Sequence, residues 1–205
     1  VVTGTEGETE GAKAPAAAVK GFDAKKPICV YVCDNDDSDE QKKLETLTFK
    51  AEKVGLAMKA FRTVRMDSAQ VAGDPLLADA GKESPRLLLI NPLDAKVTVL
   101  EKSKLSASAV FNALESVSDK FYVQKLEKTV KSHLDMLTEQ DQLANKEKQL
   151  NESQARAGEK DDAKAKKETA EIKDEIAAVR KELSELAKKQ GDLWKMTPKA
   201  KADAA

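Results

Sequence analysis

"ICVYVCDNDDSDEQKKLETL", residues 28–47, begins as a strand and ends as a helix. Its first five residues are β-branched, aromatic or otherwise apolar, the type of run that fills a buried strand. Five acids then crowd into residues 34–40. The physical reading of those acids is a helix start. Ser38 with Gln41 makes a capping box, and Asp39 and Glu40 occupy the first turn, where acids favour the positive end of the helix dipole. Residues 34–37 then form a solvated turn.

Outward from this stretch, two kinds of period alternate. Leu44, Leu47, Ala51 and Val54 recur at helical spacing, with Gly55 placed as a C-terminal cap. "FRTVRMD" (61–67) predicts a second strand, and "DPLLADAG" (74–81) a short helix with Pro75 in its first turn. "PRLLLINP" (85–92) and "KVTVLE" (96–101) predict two more strands. "SASAVFNALESV" (106–117) predicts a closing helix, capped by Ser106 or Ser108, with Val110, Leu114 and Val117 inward. Strands alternating with helices imply an α/β layer structure.

This order of elements resembles the thioredoxin fold over residues 27–118. The family has a loop, a cis-proline, an apolar strand, a turn, a strand and a final helix. "KESPRLLLINPLDAKVTVLEKSKLSASAVFNALESV" (82–117) follows that order, with Pro85 at the cis-proline position and "ICVYV" as the central strand. The resemblance implies that Ser84–Pro85 is cis and that "ICVYV" and "PRLLLI" are neighbouring strands. It also implies that Ser84 and Pro85 contact an extended peptide. The family's C-x-x-C cysteines would fall near Asp37 and Glu40, and neither is a thiol. Thiol–disulfide exchange needs an attacking thiolate and a second, resolving sulfur. Cys33 has Asp36 three residues beyond it, and nothing basic is expected nearby to activate it, so the site reads as redox-dead, with no catalytic residues.

The chain has two cysteines, Cys29 and Cys33. Four residues apart on a strand, they sit about 13 Å apart, and a disulfide needs Cα atoms within about 7 Å. Both are therefore expected as buried free thiols. A calcium loop is the other reading of the acids: Asp34, Asp36, Ser38 and Glu45 fall at positions 1, 3, 5 and 12 of an EF-hand register. Asp39 replaces the loop glycine, and a strand rather than a helix precedes the loop, so we expect no metal site there. His133 has no cysteine or second histidine beside it, and no Ser-His-Asp arrangement is visible around it.

From residue 119 to 196 the pattern is helical, and no proline occurs between Lys120 and Trp194. Ile172, Ile176, Val179, Leu183, Leu186, Gln190 and Leu193 alternate spacings of four and three, an a/d seam. On the first arm Val123, Leu126, Val130, Leu134 and Leu137 give way to Met136, Leu143 and Leu150, a stutter. "NESQARAGEKDDAKAKKE" (151–168) separates the arms, with Gly158 as the natural turn. The expected fold is a thioredoxin-like domain followed by an antiparallel coiled-coil hairpin, each arm about 50 Å long. With the turn on Gly158, Trp194 comes level with about position 122. Phe121, Tyr122 and Trp194 are then the candidates for anchoring the stalk.

Composition bounds the rest. The chain of 205 residues is 40% apolar, 4% aromatic and 35% charged, lean for one globule and suited to a small domain joined to exposed helix. Residues 1–120 carry 17 basic and 19 acidic side chains, and 121–205 carry 18 and 17. Neither half has the basic excess that nucleic acid binding needs, and no apolar run approaches the ~18 residues of a membrane span. Residues 1–26 and 197–205 are expected as a disordered arm and tail. Val1 at the start fits an exported chain that has lost a signal peptide, or a trimmed cytoplasmic one, so the compartment stays open. The expected function is a non-catalytic binding or assembly module without cofactors, meeting a protein partner or its own copy through the coiled coil. The alternative is an atypical thiol oxidoreductase or peroxidase using Cys33.

Overall fold

The computed structural model describes residues 25–34, 38–158 and 163–199. Nearly all of the expected arm, most of the expected tail, and Asp36 and Asp37 lie outside them. The chain is mixed α/β, a four-stranded open sheet followed by a long helical region, and it divides into two units between Phe121 and Tyr122.

The first unit runs β1 (Ile28–Val32), α1 (Asp39–Lys43), α2 (Glu52–Ala57), β2 (Arg62–Met66), α3 (Ser68–Ala72), β3 (Arg86–Asn91), β4 (Lys96–Glu101) and α4 (Ala107–Phe121). The strand order is β2-β1-β3-β4. β1 is parallel to β2 and antiparallel to β3, and β3 is antiparallel to β4. "ICVYV" and "PRLLLI" are thus neighbours, with Cys29 opposite Leu89. The Ser84–Pro85 bond is cis.

Strand alternation sends Ile28, Val30, Val32, Leu88 and Ile90 to one face of the sheet, where Val71, Leu77 and Ala80 cover them. Helices α2 and α4 lie on the other side, α4 against β3 and α2 against α4. Val110, Leu114 and Val117 are buried on α4 as their spacing predicts, and Phe121 continues the row.

Two helical expectations are corrected. Residues 74–79 form turns rather than a helix: the Ala80 N–H bonds back to Leu77 and the Gly81 N–H to Asp79, so the turn that Asp74 opens is not continued. The Asp74 carboxylate accepts the Leu76 N–H at 2.9 Å, and its carbonyl accepts from both Leu77 and Ala78. The helix here is α3, started by Asp67 in a full capping box with Gln70. The second correction concerns residues 44–54, expected as one continuous helix. α1 passes into a π-turn over Leu44–Thr48, where the Phe49 N–H reaches back five residues to the Leu44 carbonyl at 2.9 Å. The extra residue in that turn rotates Leu47 outward, leaving it 67% exposed, while Leu44 stays buried. Gly55 consequently lies inside α2 and caps nothing.

In the second unit, α5 (Leu126–Gly158) and α6 (Ala163–Leu193) pack along each other. They run antiparallel: Arg180 meets Glu147 at 2.6 Å, Gln190 meets Gln140 at 3.3 Å, and Trp194 meets His133 at 3.1 Å. Ile176, Val179 and Leu186 are buried, and Ile172, Leu183, Gln190 and Leu193 are half-buried. On α5, Leu126 and Val130 are buried together with Thr129 and His133. The three cross-helix pairs share a midpoint several residues beyond Gly158, the last residue of α5. That offset puts Trp194 opposite His133, and the level of Tyr122 belongs to Pro198, which bridges to it. No helix among the described residues is long and apolar enough to cross a membrane.

Candidate functional site

The sheet and its first helical segment leave a groove of about 830 Å³ in the first unit. Glu40, Lys43, Leu44, Leu47 and Thr48 form one wall, Ser84 and Pro85 the loop before β3, and Leu105, Ser106 and Ala107 the entry into α4. The walls are tied together, since the Thr48 hydroxyl donates to the Leu105 carbonyl at 2.7 Å. Leu44, Leu47, Pro85, Leu105 and Ala107 make an apolar lining. At the rim the Lys102 ammonium meets the Glu83 carboxylate at 2.7 Å, a contact that raises the lysine's pKa. The π-turn faces this groove. Such turns give up regular helix geometry and are frequent at functional sites.

Beside the groove, Asp34 leaves β1 and is held at three points. Its Oδ1 accepts the Ser68 N–H and its Oδ2 the Ser68 hydroxyl, each at 2.8 Å, and its own N–H donates to the Ser84 hydroxyl at 3.2 Å. The Ser68 bonds, backbone first, hold the Asp34 carboxyl below the usual range, helped by Ser84 and the Arg86 charge. Arg86 itself is buried. Its Nε donates to the Ala80 carbonyl at 3.2 Å, and its Nη1 to the Ser68 hydroxyl at 3.3 Å and to the Glu83 carbonyl. A buried guanidinium with several acceptors is tolerated where an unpaired one is not. This network connects the end of β1, the start of α3 and the Pro85 loop.

Both cysteines are free and buried, as their spacing predicts. Burial pushes the Cys29 thiol up to about 12. The Cys33 thiol donates to the Asp34 carbonyl at 3.1 Å. One sequence expectation about it is corrected: a basic group does lie nearby, the Arg65 guanidinium, with Nη2 3.5 Å from the sulfur. Parallel pairing of β1 with β2 sets Arg65 opposite Tyr31 and so brings it there, 32 residues away along the chain. The same guanidinium lies over the Tyr31 ring at 5.7 Å. Burial first, then Cys33 and Glu45 alongside, push the Tyr31 phenol above its ordinary range.

The acids of residues 34–45 divide by role. Ser38 caps α1, accepting the Gln41 N–H at 3.3 Å, with Asp39 and Glu40 in the first turn. The reciprocal half of the expected capping box is replaced, because the Gln41 amide donates to Glu45 at 3.3 Å. Glu45 also accepts the Tyr31 hydroxyl at 2.9 Å. The first and last ligands of the calcium register, Asp34 and Glu45, are thus committed to protein donors. Of the two positions aligned with the missing cysteines, Glu40 lines the groove and Asp37 lies outside the described residues.

The structure brings Ser84 and Pro85 into the groove, whereas Phe121, Tyr122 and Trp194 belong elsewhere: Phe121 is the buried end of α4, Tyr122 is buried beside Pro198, and Trp194 is half-buried beside His133. Arg65 and Arg86 were not legible as site residues. Their only signal was a charge inside a predicted strand, which is more often a solvated edge. No protein-family model, curated protein or solved structure matches the chain.

Proposed function

We propose that residues 27–118 form a redox-inactive, thioredoxin-like binding module that takes an extended peptide in the groove beside Pro85. The observation that carries this reading is the groove itself, apolar within, hydroxyl-bearing at Thr48, Ser84, Ser103 and Ser106, and free of sulfur along its lining. The strand order and the proline loop before β3 support the family resemblance. Helices α5 and α6 serve, on this reading, as a coiled-coil hairpin for protein–protein contact, supported by their a/d burial and antiparallel pairs. Their seam is narrow, and many of its leucines stay half-buried, which leaves apolar surface for a partner or a second copy.

The test is selection of peptides from a random library on the full chain, followed by mapping the bound peptide by chemical-shift perturbation. The expected shifts centre on Leu47, Ser84 and Lys102, and Leu47→Asp weakens binding. An empty selection, or shifts confined to other surfaces, would sink the proposal. Insulin reduction by the protein should not exceed background.

A second reading, a thiol enzyme using Cys33, is favoured by one observation, the Arg65 guanidinium beside the sulfur. The guanidinium sets a positive charge beside the one sulfur such an enzyme would use. Rapid alkylation of Cys33 in the native protein, slowed by Arg65→Gln, would support this reading. A thiol that reacts only on unfolding would exclude it.

A further inference from the structure

Lys102 stands at the rim of the groove in the first unit, and its backbone is unusual there. β4 ends at Glu101, and the chain then enters a short 3₁₀ turn over Lys102–Leu105, with Lys102 at φ 53°. That is the left-handed region, where the Cβ of an ordinary residue crowds the following carbonyl and where glycine, asparagine or aspartate is the usual occupant. A lysine in this place costs the fold something, and its side chain returns little stability. The ammonium meets Glu83 at 2.7 Å, but the two side chains are 68% and 48% exposed. Water and salt screen such a pair, so the carboxylate on Lys102 is replaceable.

The polar groups around Lys102 favour an anion. Ser103 lies in the same turn and Ser106 just after it; both line the groove, and their hydroxyls have no partner among the described residues. The Ser84 hydroxyl accepts the Asp34 N–H at 3.2 Å, which leaves its own proton to donate. The Thr48 hydroxyl is already committed to the Leu105 carbonyl. On the α1 wall, Lys43 stands one turn beyond Glu40 and offsets its charge. Three hydroxyl donors and an exchangeable ammonium are thus set against Glu83 alone, beside the apolar lining of Leu44, Leu47, Pro85 and Leu105.

We propose, resting on the groove as a peptide site, that it selects peptides carrying a carboxylate next to a large apolar side chain. The apolar side chain lies on Leu44, Leu47 and Leu105. The carboxylate takes the place of Glu83 on Lys102 and accepts from Ser103 and Ser106. Charge-assisted hydrogen bonds of this kind are shorter and stronger than neutral ones. Glu83 is then a built-in competitor, keeping the ammonium paired until a second carboxylate arrives. That carboxylate comes from an acidic side chain or from the C-terminus of the peptide, and Lys102 meets the same chemistry in both.

Four peptides separate the two sources on the full chain. One pair is acetyl-Ala-Leu-Leu-Asp-Ala-amide and its Asn counterpart; the other is acetyl-Ala-Leu-Leu as the free acid and as the amide. Binding is followed through the NMR shifts of the Leu47, Ser84 and Lys102 amides. In at least one pair the acid is expected to bind about tenfold tighter than its neutral counterpart, as a hydrogen bond to a charged group allows. The advantage disappears in Lys102→Gln and shrinks in about 0.5 M sodium chloride. Glu83→Gln, which removes the competitor, widens it. Equal binding within both pairs overturns the carboxylate subsite and leaves the groove a site for neutral apolar peptides. So does an advantage that survives Lys102→Gln. If that variant does not fold, Glu83→Gln decides, and an advantage it leaves unchanged overturns the proposal. No shift at Leu47 with any of the four peptides overturns the subsite and the peptide groove together.

Discussion

Asp34 takes both donors of Ser68, the backbone N–H on Oδ1 and the hydroxyl on Oδ2, at 2.8 Å each. A carboxylate at the exit of one strand thus fastens the start of the helix that follows the neighbouring strand. Removing a side-chain acceptor from the first N–H groups of a helix costs about 0.5–2 kcal/mol, so Asp34→Ala should lower stability by that order in urea titrations at pH 7.

The pH dependence of that contact has a definite sign. The folded pKa of Asp34 lies below its ordinary value. Its contribution is fully present above the unfolded value of about 3.9 and is lost as pH falls through the folded one. Asp34→Asn should therefore be less stable than the parent at pH 7, and the difference should shrink in acid, below the unfolded value of about 3.9. A difference that is the same at pH 7 and in acid would show that the charge is not what Ser68 recognises.

Leu47 is 67% exposed at the groove, where a core residue would not be. Leu47→Ala should change stability by less than about 0.5 kcal/mol, as exposed substitutions do, while weakening any peptide bound in the groove. Thermal melting and peptide titration on the same variant separate the two effects.

Cys29 is buried in β1, with its thiol pushed up to about 12. It should react with a thiol reagent at pH 8 no faster than the protein unfolds. Rapid labelling of Cys29 in native protein, located by mass spectrometry, would contradict its place in the sheet.

The helical pair should depend on its apolar seam more than on its charges. Ile176 is 5% exposed, and Ile176→Ala should cost about 2–3 kcal/mol. Arg180→Ala removes the ion pair with Glu147, whose arginine side is 64% exposed, and should cost less than about 1 kcal/mol. Helix melting followed by circular dichroism gives both values, and a reversed order would mean the seam is not what holds α5 to α6.

Periods and caps were enough to determine much of this protein. The apolar run "ICVYV", the short strand patterns "RTVRM" and "KVTVLE" and the helical spacing in 106–117 and 172–193 depend on local backbone geometry and on which side chains share a face. That Cys29 and Cys33 do not pair with each other followed from strand rise. The sequence did not reveal the π-turn that turns Leu47 out, because one extra residue per turn leaves no mark in composition. Nor did it reveal which charges meet. Arg65 reaches Cys33, Arg86 reaches Ser68, and Trp194 reaches His133 across separations of 32, 18 and 61 residues. Those meetings depend on strand order and on the offset between two helices, and both are decided by burying the whole apolar surface at once rather than by any local preference.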